Sequence, residues 1–319
     1  MTSDPPLFRI EAPQRQSGGG WAVTANLSLA SKLHPDILGS DSRSRACLVP
    51  RNWVRVQNLR SRQYILMPQN AWPWEGSVGG VQSLCRRLAL RAASEISMNR
   101  ALGVIRMGTT IPPNGRVLGD VLGNVLDEDF ENVLDLASQR PSCLVDDRTF
   151  VSIGSLSAYR GLSILLSGYA EYRRRGGSFR LVIAGPSRPN FALPDTEGVT
   201  VVRSFLKRHE VLAAFHAAAA AVFPSTVEAS PIGVLEANVV AQNLVLTRIP
   251  GHLDAAERGL WFDRNSWLGL ADALCEVESN GREQKEPFDH SSPDEREANR
   301  IRWAESLRML LLRSLADDA

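Results

Sequence analysis

Short apolar runs alternate with helical stretches through the second half of the chain, and this alternation is the clearest pattern in the sequence. Largely apolar runs of four or five residues lie at 149–153, 180–184, 199–202, 220–223 and 243–247. Helical periodicity follows over 161–174, 208–219 and 231–241. Buried strands that alternate with helices are typical of a parallel sheet with helices on both faces. We therefore predict a doubly wound α/β domain in this half.

The first half repeats this alternation less clearly, and we predict a shorter α/β domain there. Its strands are predicted at 7–11, 53–57, 63–67 and 102–107, and its helices at 21–33 and 80–99. The segment 138–147 has linker-like composition. We therefore divide the chain into a first domain at 1–143 and a second at 144–297.

The C-terminal part of the chain adds a loop and a helix. Residues 278–297 are rich in Glu, Asp, Ser and Pro, which predicts a solvated loop. Residues 298–319 contain an amphipathic helix, which we expect to pack back on the first domain. Its Trp303 and Leu307 have a membrane surface or another subunit as alternative partners.

Composition and charge narrow the class of protein. Apolar residues make up 44% of the chain and charged residues 22%, as in soluble globular proteins. The net charge of +1 argues against a nucleic-acid partner. Residues 1–115 nevertheless carry a net charge of +8 and the remainder −7. The basic part faces an anionic acceptor, makes peripheral contact with a membrane, or is simply solvated.

Cysteine spacing and hydropathy bear on the compartment. The four cysteines lie far apart and form no metal-type pair. No apolar leader opens the chain, and no run approaches the roughly 18 apolar residues of a membrane span. We therefore expect a cytoplasmic protein, with membrane association as the alternative. Arginine far outnumbers lysine, which suggests a GC-rich bacterial source.

The most informative loop lies between the strand at 220–223 and the helix at 231–241. Residues 224–237 read PSTVEASPIGVLEA, with Glu228 in the loop and Glu236 in the helix. Strands of a doubly wound sheet deliver ligand-binding loops at their carboxyl ends. Free amides at the start of the helix are suited to a phosphate or sugar oxygen. Taken alone, two glutamates at this spacing favour the alternative of an exposed loop glutamate and a helix glutamate in a salt bridge.

The order strand, Pro-Ser, Glu, seven residues, Glu-Ala resembles the donor-site signature of GT-B glycosyltransferases, especially the retaining family-4 group. The resemblance continues in order through 149–161, 181–185, 201–223 and 244–251. In the first half, 16–33 resembles the family's Gly-Gly loop and first helix, and 121–130 resembles its Asn-Gly-Val-Asp stretch.

This resemblance implies a fold and an activity. The fold is GT-B, with two Rossmann-like doubly wound domains facing a cleft. The activity is that of a hexosyltransferase of the EC 2.4 class, which moves a sugar from a nucleoside diphosphate sugar to an acceptor hydroxyl with retention. No cofactor and no metal are implied. Asp127 and Asp129 spell Asp-x-Asp, but they lie in the Asn-Gly-Val-Asp-like stretch and follow no strand.

The resemblance also assigns residues to the donor site. Glu228 and Arg160 are the predicted catalytic residues. Donor binding is assigned to Gly154, Ser155, Gly185, Arg203, Phe205, Ser230, Pro231, Ile232, Gly233 and Glu236. Ser155 stands where the family usually has an arginine, so a leaving-group charge must be neutralised elsewhere, with Arg188 and Arg203 as the candidates.

The acceptor side carries less specific signals. Glycines permit close approach of backbone to a ligand, and amides with aromatic faces suit sugars. The acceptor-side candidates are Gly18, Gly19, Gly20, Gln69, Asn70, Trp72 and Trp74. The tryptophans are equally suited to core packing. A small molecule, a lipid or a glycan is the expected acceptor, in natural-product or cell-envelope glycosylation. Among the histidines, His252 lies on a donor-side loop.

Two other functions fit the same architecture. A nucleotide-sugar epimerase would turn over its donor without any acceptor. A degenerate glycosyltransferase would serve as a partner or scaffold, and the short first half and Ser155 favour this alternative. The retention of Glu228, Arg160 and Glu236 opposes it.

Overall fold

The structure is a computed structural model that describes residues 5–11, 20–41, 43–44, 46–50, 63–68, 81–186, 194–280 and 292–316. Its strands are β1 (Phe8–Ile10), β2 (Leu38–Gly39), β3 (Ala46–Val49), β4 (Tyr64–Leu66), β5 (Gly103–Val104), β6 (Thr149–Ile153), β7 (Arg180–Ala184), β8 (Val199–Val202), β9 (Ala220–Phe223), β10 (Leu244–Thr247) and β11 (Leu260–Phe262). Its helices are α1 (Gly20–Leu33), α2 (Val81–Arg100), α3 (Phe130–Ser138), α4 (Leu162–Arg174), α5 (Arg208–Ala217), α6 (Ile232–Val240), α7 (Pro250–Leu253), α8 (Trp267–Asn280) and α9 (Pro293–Ala316).

The chain divides into two compact units. The first unit contains Met1–Glu128, Glu228–Ile232 and Pro293–Ala319, and the second contains Asp129–Val227 and Gly233–Ser292. The division after Glu128 lies upstream of the boundary predicted at 143, because α3 packs against α5 and so joins the second unit. The short segment Glu228–Ile232 in the first unit was not anticipated from the sequence.

The first unit is built on a parallel sheet with strand order β2-β1-β3-β4-β5. Phe8, Leu48 and Ile65 are fully buried along it. The sequence predicted β1, β4 and β5 but missed β2 and β3. The strand predicted at 53–57 lies outside the described residues.

The C-terminal helix belongs to the first unit, as predicted. It packs against α1, and its Trp303 indole donates a hydrogen bond to the Gly123 carbonyl at 3.0 Å. Trp303 is 4% exposed and Leu307 is fully buried, so these side chains serve packing. The helix begins at Pro293, inside the predicted loop 278–297. Among the described helices, none combines the length and apolar character that a bilayer crossing requires.

The second unit contains a six-stranded parallel sheet with strand order β11-β10-β9-β6-β7-β8. Val151 on the central strand β6 pairs with Val182 on one side and Ala221 on the other. Helices α4 and α8 pack together, burying Leu270 and Leu274 in the core. The doubly wound parallel sheet predicted here is confirmed, although β11 and α8 were not foreseen.

Candidate functional site

The direction of strand addition reverses between β6 and β9. From β6 the sheet grows through β7 and β8 on one side, and from β9 it grows through β10 and β11 on the other. In doubly wound folds such a reversal leaves a crevice at the carboxyl end of the sheet. In doubly wound folds ligands bind at such a reversal.

A pocket lies at this reversal and holds about 280 Å³ of empty space, including solvent at its mouth. Three predicted site residues, Gly154, Ser155 and Arg160, line it. Ser152 and Ser225 also line it, and sequence analysis had not singled them out. One guanidinium and several hydroxyl groups thus border one pocket, a set of donors that suits an anionic ligand.

The two loops are tied to each other by hydrogen bonds. The Thr226 backbone N–H donates to the Tyr159 carbonyl at 2.9 Å, and the Thr226 hydroxyl donates to the same oxygen at 3.1 Å. Gly161 has a left-handed φ of 67°, and a Cβ there would lie 1.9 Å from the Pro224 carbonyl oxygen. Glycine is required at this point because the backbone of the second loop leaves no room for a side chain. Arg160 directly precedes Gly161, so the close approach of the two loops positions Arg160.

His252 is fully buried, and its ring lies next to that of Phe223 at the end of β9. Its Nδ1 lies 3.0 Å from the Thr247 carbonyl, so this nitrogen carries the proton and donates it. Burial lowers the pKa of His252 to about 4; the bond to Thr247 opposes this shift and the nearby charge of Arg160 adds to it. The ring is therefore neutral near pH 7, and its buried Nε2 has no hydrogen-bond partner among the described residues.

Glu236 forms a buried ion pair in the second unit. The Arg208 Nε donates to the Glu236 Oε1 at 2.5 Å, with side-chain exposures of 19% and 9%. The Arg208 guanidinium also lies over the Phe130 ring, 5.4 Å from its centroid. The salt-bridge alternative for this glutamate is thus present in the structure, and its partner is a residue that sequence analysis did not identify.

Glu228 lies on a segment that the first unit holds in place. The Thr110 hydroxyl donates to the Glu228 carbonyl at 3.0 Å. Asn124 donates its backbone N–H to the Ser230 Oγ and its side-chain amide to the Ser230 carbonyl, each at 2.7 Å. A Cβ on Gly108 would lie 2.2 Å from the Ala229 carbonyl oxygen, so this glycine permits the close approach. Sequence analysis did not single out Asn124, although it lies in the stretch 121–130 that resembles the family's Asn-Gly-Val-Asp segment.

The helix after this segment begins one residue later than predicted. Pro231 immediately precedes α6, which starts at Ile232, because proline donates no backbone hydrogen bond and its ring suits the helix entrance. Ile232 is 8% exposed and Gly233 is half-buried. The first backbone amides of any helix have no intrahelical acceptor, and donor binding by those of α6 stays a prediction.

The remaining donor-side residues lie at strand ends. Gly185 follows β7 and is buried, and its N–H donates to the Val202 carbonyl at 2.9 Å. Arg203 and Phe205 lie on the loop after β8, where both are exposed and Phe205 has 66% of its surface accessible. These two residues do not line the pocket at the sheet reversal.

Most acceptor-side candidates lie outside the described residues. These candidates are Gly18, Gly19, Gln69, Asn70, Trp72 and Trp74. The donor-side candidate Arg188 also lies outside the described residues. Gly20, predicted in a loop, is instead the first residue of α1. Their acceptor-side roles remain predictions.

Comparison with known families supports the assignment of the second half. Residues 138–290 match the family model described as "Glycosyl transferases group 1". The match includes the pocket at the sheet reversal and both Glu228 and Glu236. No curated protein matches the chain.

Solved structures with the same fold include three trehalose-phosphate synthases. The UDP-forming enzyme from Burkholderia xenovorans, solved with glucose-6-phosphate, has a TM-score of 0.57 at 12% identity, over 92% of this chain and 77% of that one. The Burkholderia vietnamiensis enzyme has a TM-score of 0.54 at 13% identity, over 94% and 79%. The E. coli enzyme bound with UDP-2-fluoro glucose has a TM-score of 0.52 at 10% identity, over 92% and 76%.

These comparisons confirm the GT-B fold and the glycosyltransferase class predicted from the sequence. At such low identity the structural likeness establishes the fold alone, and the family match covers 138–290. The finer resemblance to family 4 and the roles of individual residues are not tested by them and stay predictions.

Proposed function

We propose that the protein is a retaining glycosyltransferase that moves a sugar from a nucleoside diphosphate sugar to an acceptor hydroxyl without a metal ion. The observation that carries this proposal is the pocket at the β6–β9 reversal, lined by Arg160 and by serine hydroxyls. It lies at the carboxyl edge of a parallel sheet, the usual ligand site of such sheets, and within the glycosyltransferase match.

The diphosphate is the part of the donor that this pocket suits. Arg160 offers a planar fork of N–H donors that matches phosphate oxygens, and Ser152, Ser155 and Ser225 offer hydroxyls. In the transition state these donors would stabilise the departing diphosphate. Because Ser155 carries no positive charge, we expect weaker donor binding than with an arginine there.

The nucleoside is assigned to the residues around α5 and α6. Glu236 would accept hydrogen bonds from the ribose hydroxyls, and the exposed Phe205 ring offers a face on which a base stacks. Arg203 lies on the same loop as Phe205 and would contribute a charge near the leaving group. These roles follow from the family resemblance.

Glu228 is the group that we place near the transferred sugar. Retaining transfer in the resembled family passes through a positively charged sugar ring, with the acceptor attacking the face from which the nucleotide leaves. A carboxylate stabilises such a charge when it is held in place beforehand. The hydrogen bonds of Thr110 and Asn124 to the backbone of the Glu228–Ser230 segment supply that preorganisation.

The positive net charge of the first part of the chain favours an anionic acceptor. Residues 1–115 carry a net charge of +8, and one structural neighbour was solved with glucose-6-phosphate. A sugar phosphate is therefore the first acceptor to test, followed by lipid and glycan acceptors. A cytoplasmic setting, with or without peripheral membrane contact, also belongs to this proposal.

Calorimetry with UDP, GDP, ADP and dTDP, in buffer without metal, tests the donor site. We expect one nucleotide to bind preferentially and Arg160→Ala to weaken its binding by at least about tenfold. Arg175→Ala, which removes a surface ion pair with Asp272 in the same unit, is the matched control and should bind normally. A folded protein that binds none of the four nucleotides would refute the proposal and favour a partner or scaffold role.

Product analysis then separates transferase from epimerase. The sugar nucleotide that corresponds to the preferred base is incubated with and without glucose-6-phosphate, and products are followed by mass spectrometry and NMR. Transfer that depends on the acceptor and conserves the anomeric configuration supports the proposal. Conversion of the donor to another nucleotide sugar without acceptor would establish an epimerase instead.

A further inference from the structure

Glu236 is a carboxylate that the fold has removed from water. Only 9% of its side chain is exposed, and it lies in the second turn of α6. A buried carboxylate is unfavourable unless a hydrogen-bonded cation compensates its charge. Arg208 supplies this compensation through the bond of 2.5 Å between Nε and Oε1. A charged Glu236 at this buried position therefore requires its ion pair with Arg208.

Arg208 is itself held on three sides. It is the first residue of α5, whose start is capped by the bond of 2.7 Å from the Lys207 N–H to the Glu210 carboxylate. Its guanidinium lies over the ring of Phe130 in α3, and α3 packs against α5. A cation that is stacked on an aromatic face and bound to a carboxylate has little freedom to turn. Helices α3 and α5 thus both act, through Phe130 and Arg208, on the orientation of the Glu236 carboxylate on α6.

We propose that Arg208 is a positioning residue that fixes Glu236 to accept hydrogen bonds from a ribose diol, and that it thereby sets a preference for ribonucleotides over 2′-deoxyribonucleotides. This inference rests on the proposed function, in which Glu236 binds the ribose of the donor. A charged carboxylate only accepts hydrogen bonds, and it has about four lone-pair sites on two oxygens. The bond from Nε to Oε1 restricts rotation of the carboxylate and so limits the directions from which a hydroxyl can donate to it.

The consequence is a difference between ligands, which a purely structural ion pair would not create. A site built to hydrogen-bond a hydroxyl discriminates strongly against the analogue that lacks it. We therefore expect the wild-type protein to bind a ribonucleoside diphosphate at least about tenfold more tightly than its 2′-deoxy counterpart. When Glu236 is free to turn or loses its charge, this ratio should fall to within about threefold.

The experiment compares UDP with dUDP, ADP with dADP and GDP with dGDP by calorimetry, in wild type and variants. Arg208→Gln removes the charge and the Nε donor, and Arg208→Lys keeps the charge without the planar fork. We expect the ribo/deoxy ratio to collapse in Arg208→Gln and to be intermediate in Arg208→Lys. Arg175→Gln, which disrupts an exposed ion pair of the same unit, should keep the wild-type ratio.

Several outcomes would overturn the inference. Arg208→Gln with an unchanged ratio contradicts it, as does a variant that loses affinity for both members of each pair equally while its melting temperature falls. In either case the binding of ribonucleotides to wild type leaves the proposed function standing. If no nucleotide binds to folded wild type, both the proposed function and this inference are wrong.

A second variant covers the event that Arg208→Gln does not fold. Phe130→Leu leaves the Arg208–Glu236 pair in place but removes the aromatic face under the guanidinium. We expect it to fold and to lower the ribo/deoxy ratio about twofold to fivefold, with thermal unfolding as the check on folding. A ratio equal to that of wild type in both Phe130→Leu and Arg208→Lys would refute a positioning role.

Discussion

Asn124 binds Ser230 twice, through its backbone N–H to the hydroxyl oxygen and through its side-chain amide to the carbonyl oxygen, with both distances at 2.7 Å. Two residues earlier, the Glu228 carbonyl accepts the hydroxyl of Thr110 at 3.0 Å. The backbone that carries Glu228 is thus fixed at both ends of a three-residue stretch. Under the proposed function, a carboxylate carried on a backbone fixed in this way requires little rearrangement during reaction.

Replacing Asn124 with alanine tests this arrangement. The variant loses the bond to the Ser230 carbonyl, so we expect the free energy of unfolding to fall by about 1 kcal/mol. Because Glu228 would be less well placed, kcat should fall about tenfold with little change in donor KM. Denaturant unfolding and steady-state kinetics measure these effects, with exposed Asn99→Ala as the control. Lost stability with an unchanged kcat would show that Asn124 is structural only.

Glu228→Gln tests the carboxylate itself. The amide preserves size and removes the charge, so we expect kcat to fall at least about 100-fold while nucleotide binding and melting temperature stay near those of wild type. The matched control is Glu276→Gln on the exposed side of α8, which should transfer normally. Wild-type rates in Glu228→Gln would remove this residue from the mechanism.

Gly161 should not tolerate alanine. Its φ of 67° and the 1.9 Å between a Cβ and the Pro224 carbonyl combine backbone strain with a clash, so we expect a loss of more than about 2 kcal/mol of stability. Gly176→Ala is the matched control, since Gly176 has a φ of 95° and open space around it. That variant should lose only about 1 kcal/mol. Equal losses in the two variants would mean that the contact with Pro224 is unimportant.

The lowered pKa of His252 predicts how the free energy of unfolding depends on pH. Its pKa is about 4 in the folded protein and about 6.5 when unfolded, so the unfolded state binds more protons in between. Stability should therefore fall as pH falls from 6.5 toward 4, by about 2 kcal/mol between pH 7 and pH 5. His252→Gln lacks this titration, and the difference between the two proteins isolates it. Parallel stability curves for wild type and variant would contradict this origin.

Four strands of the second unit could be predicted to the residue. β6, β7, β8 and β9 have the bounds expected from the sequence, because largely apolar runs end in turn-forming residues such as Gly154, Gly185 and Pro224. The misses have equally local causes. β2 has two residues and too little pattern to recognise, and the acidic C-terminal end of α8 merges with the polar segment that follows it.

The candidate site likewise contains residues that the sequence identified and residue pairs that only the folded chain brings together. Gly154, Ser155 and Arg160 follow one strand, and the family resemblance of that strand and its loop identified them. The pocket that they line also needs residues of the distant loop after β9. Arg208 and Glu236 are separated by 28 positions, and Asn124 and Ser230 by 106. No periodicity or motif links residues so far apart, and such pairs exist only once the chain is folded.

By itself the sequence determined the parallel doubly wound sheet, the strand-end loops and the glycosyltransferase signature, because apolar periodicity, turn residues and motif spacing are local properties of a chain. The tertiary structure decided which charge accompanies Glu236, which backbone holds Glu228 and why His252 is neutral. Those properties depend on burial and on atoms brought within a few ångströms by packing, and burial and packing are settled by the whole fold.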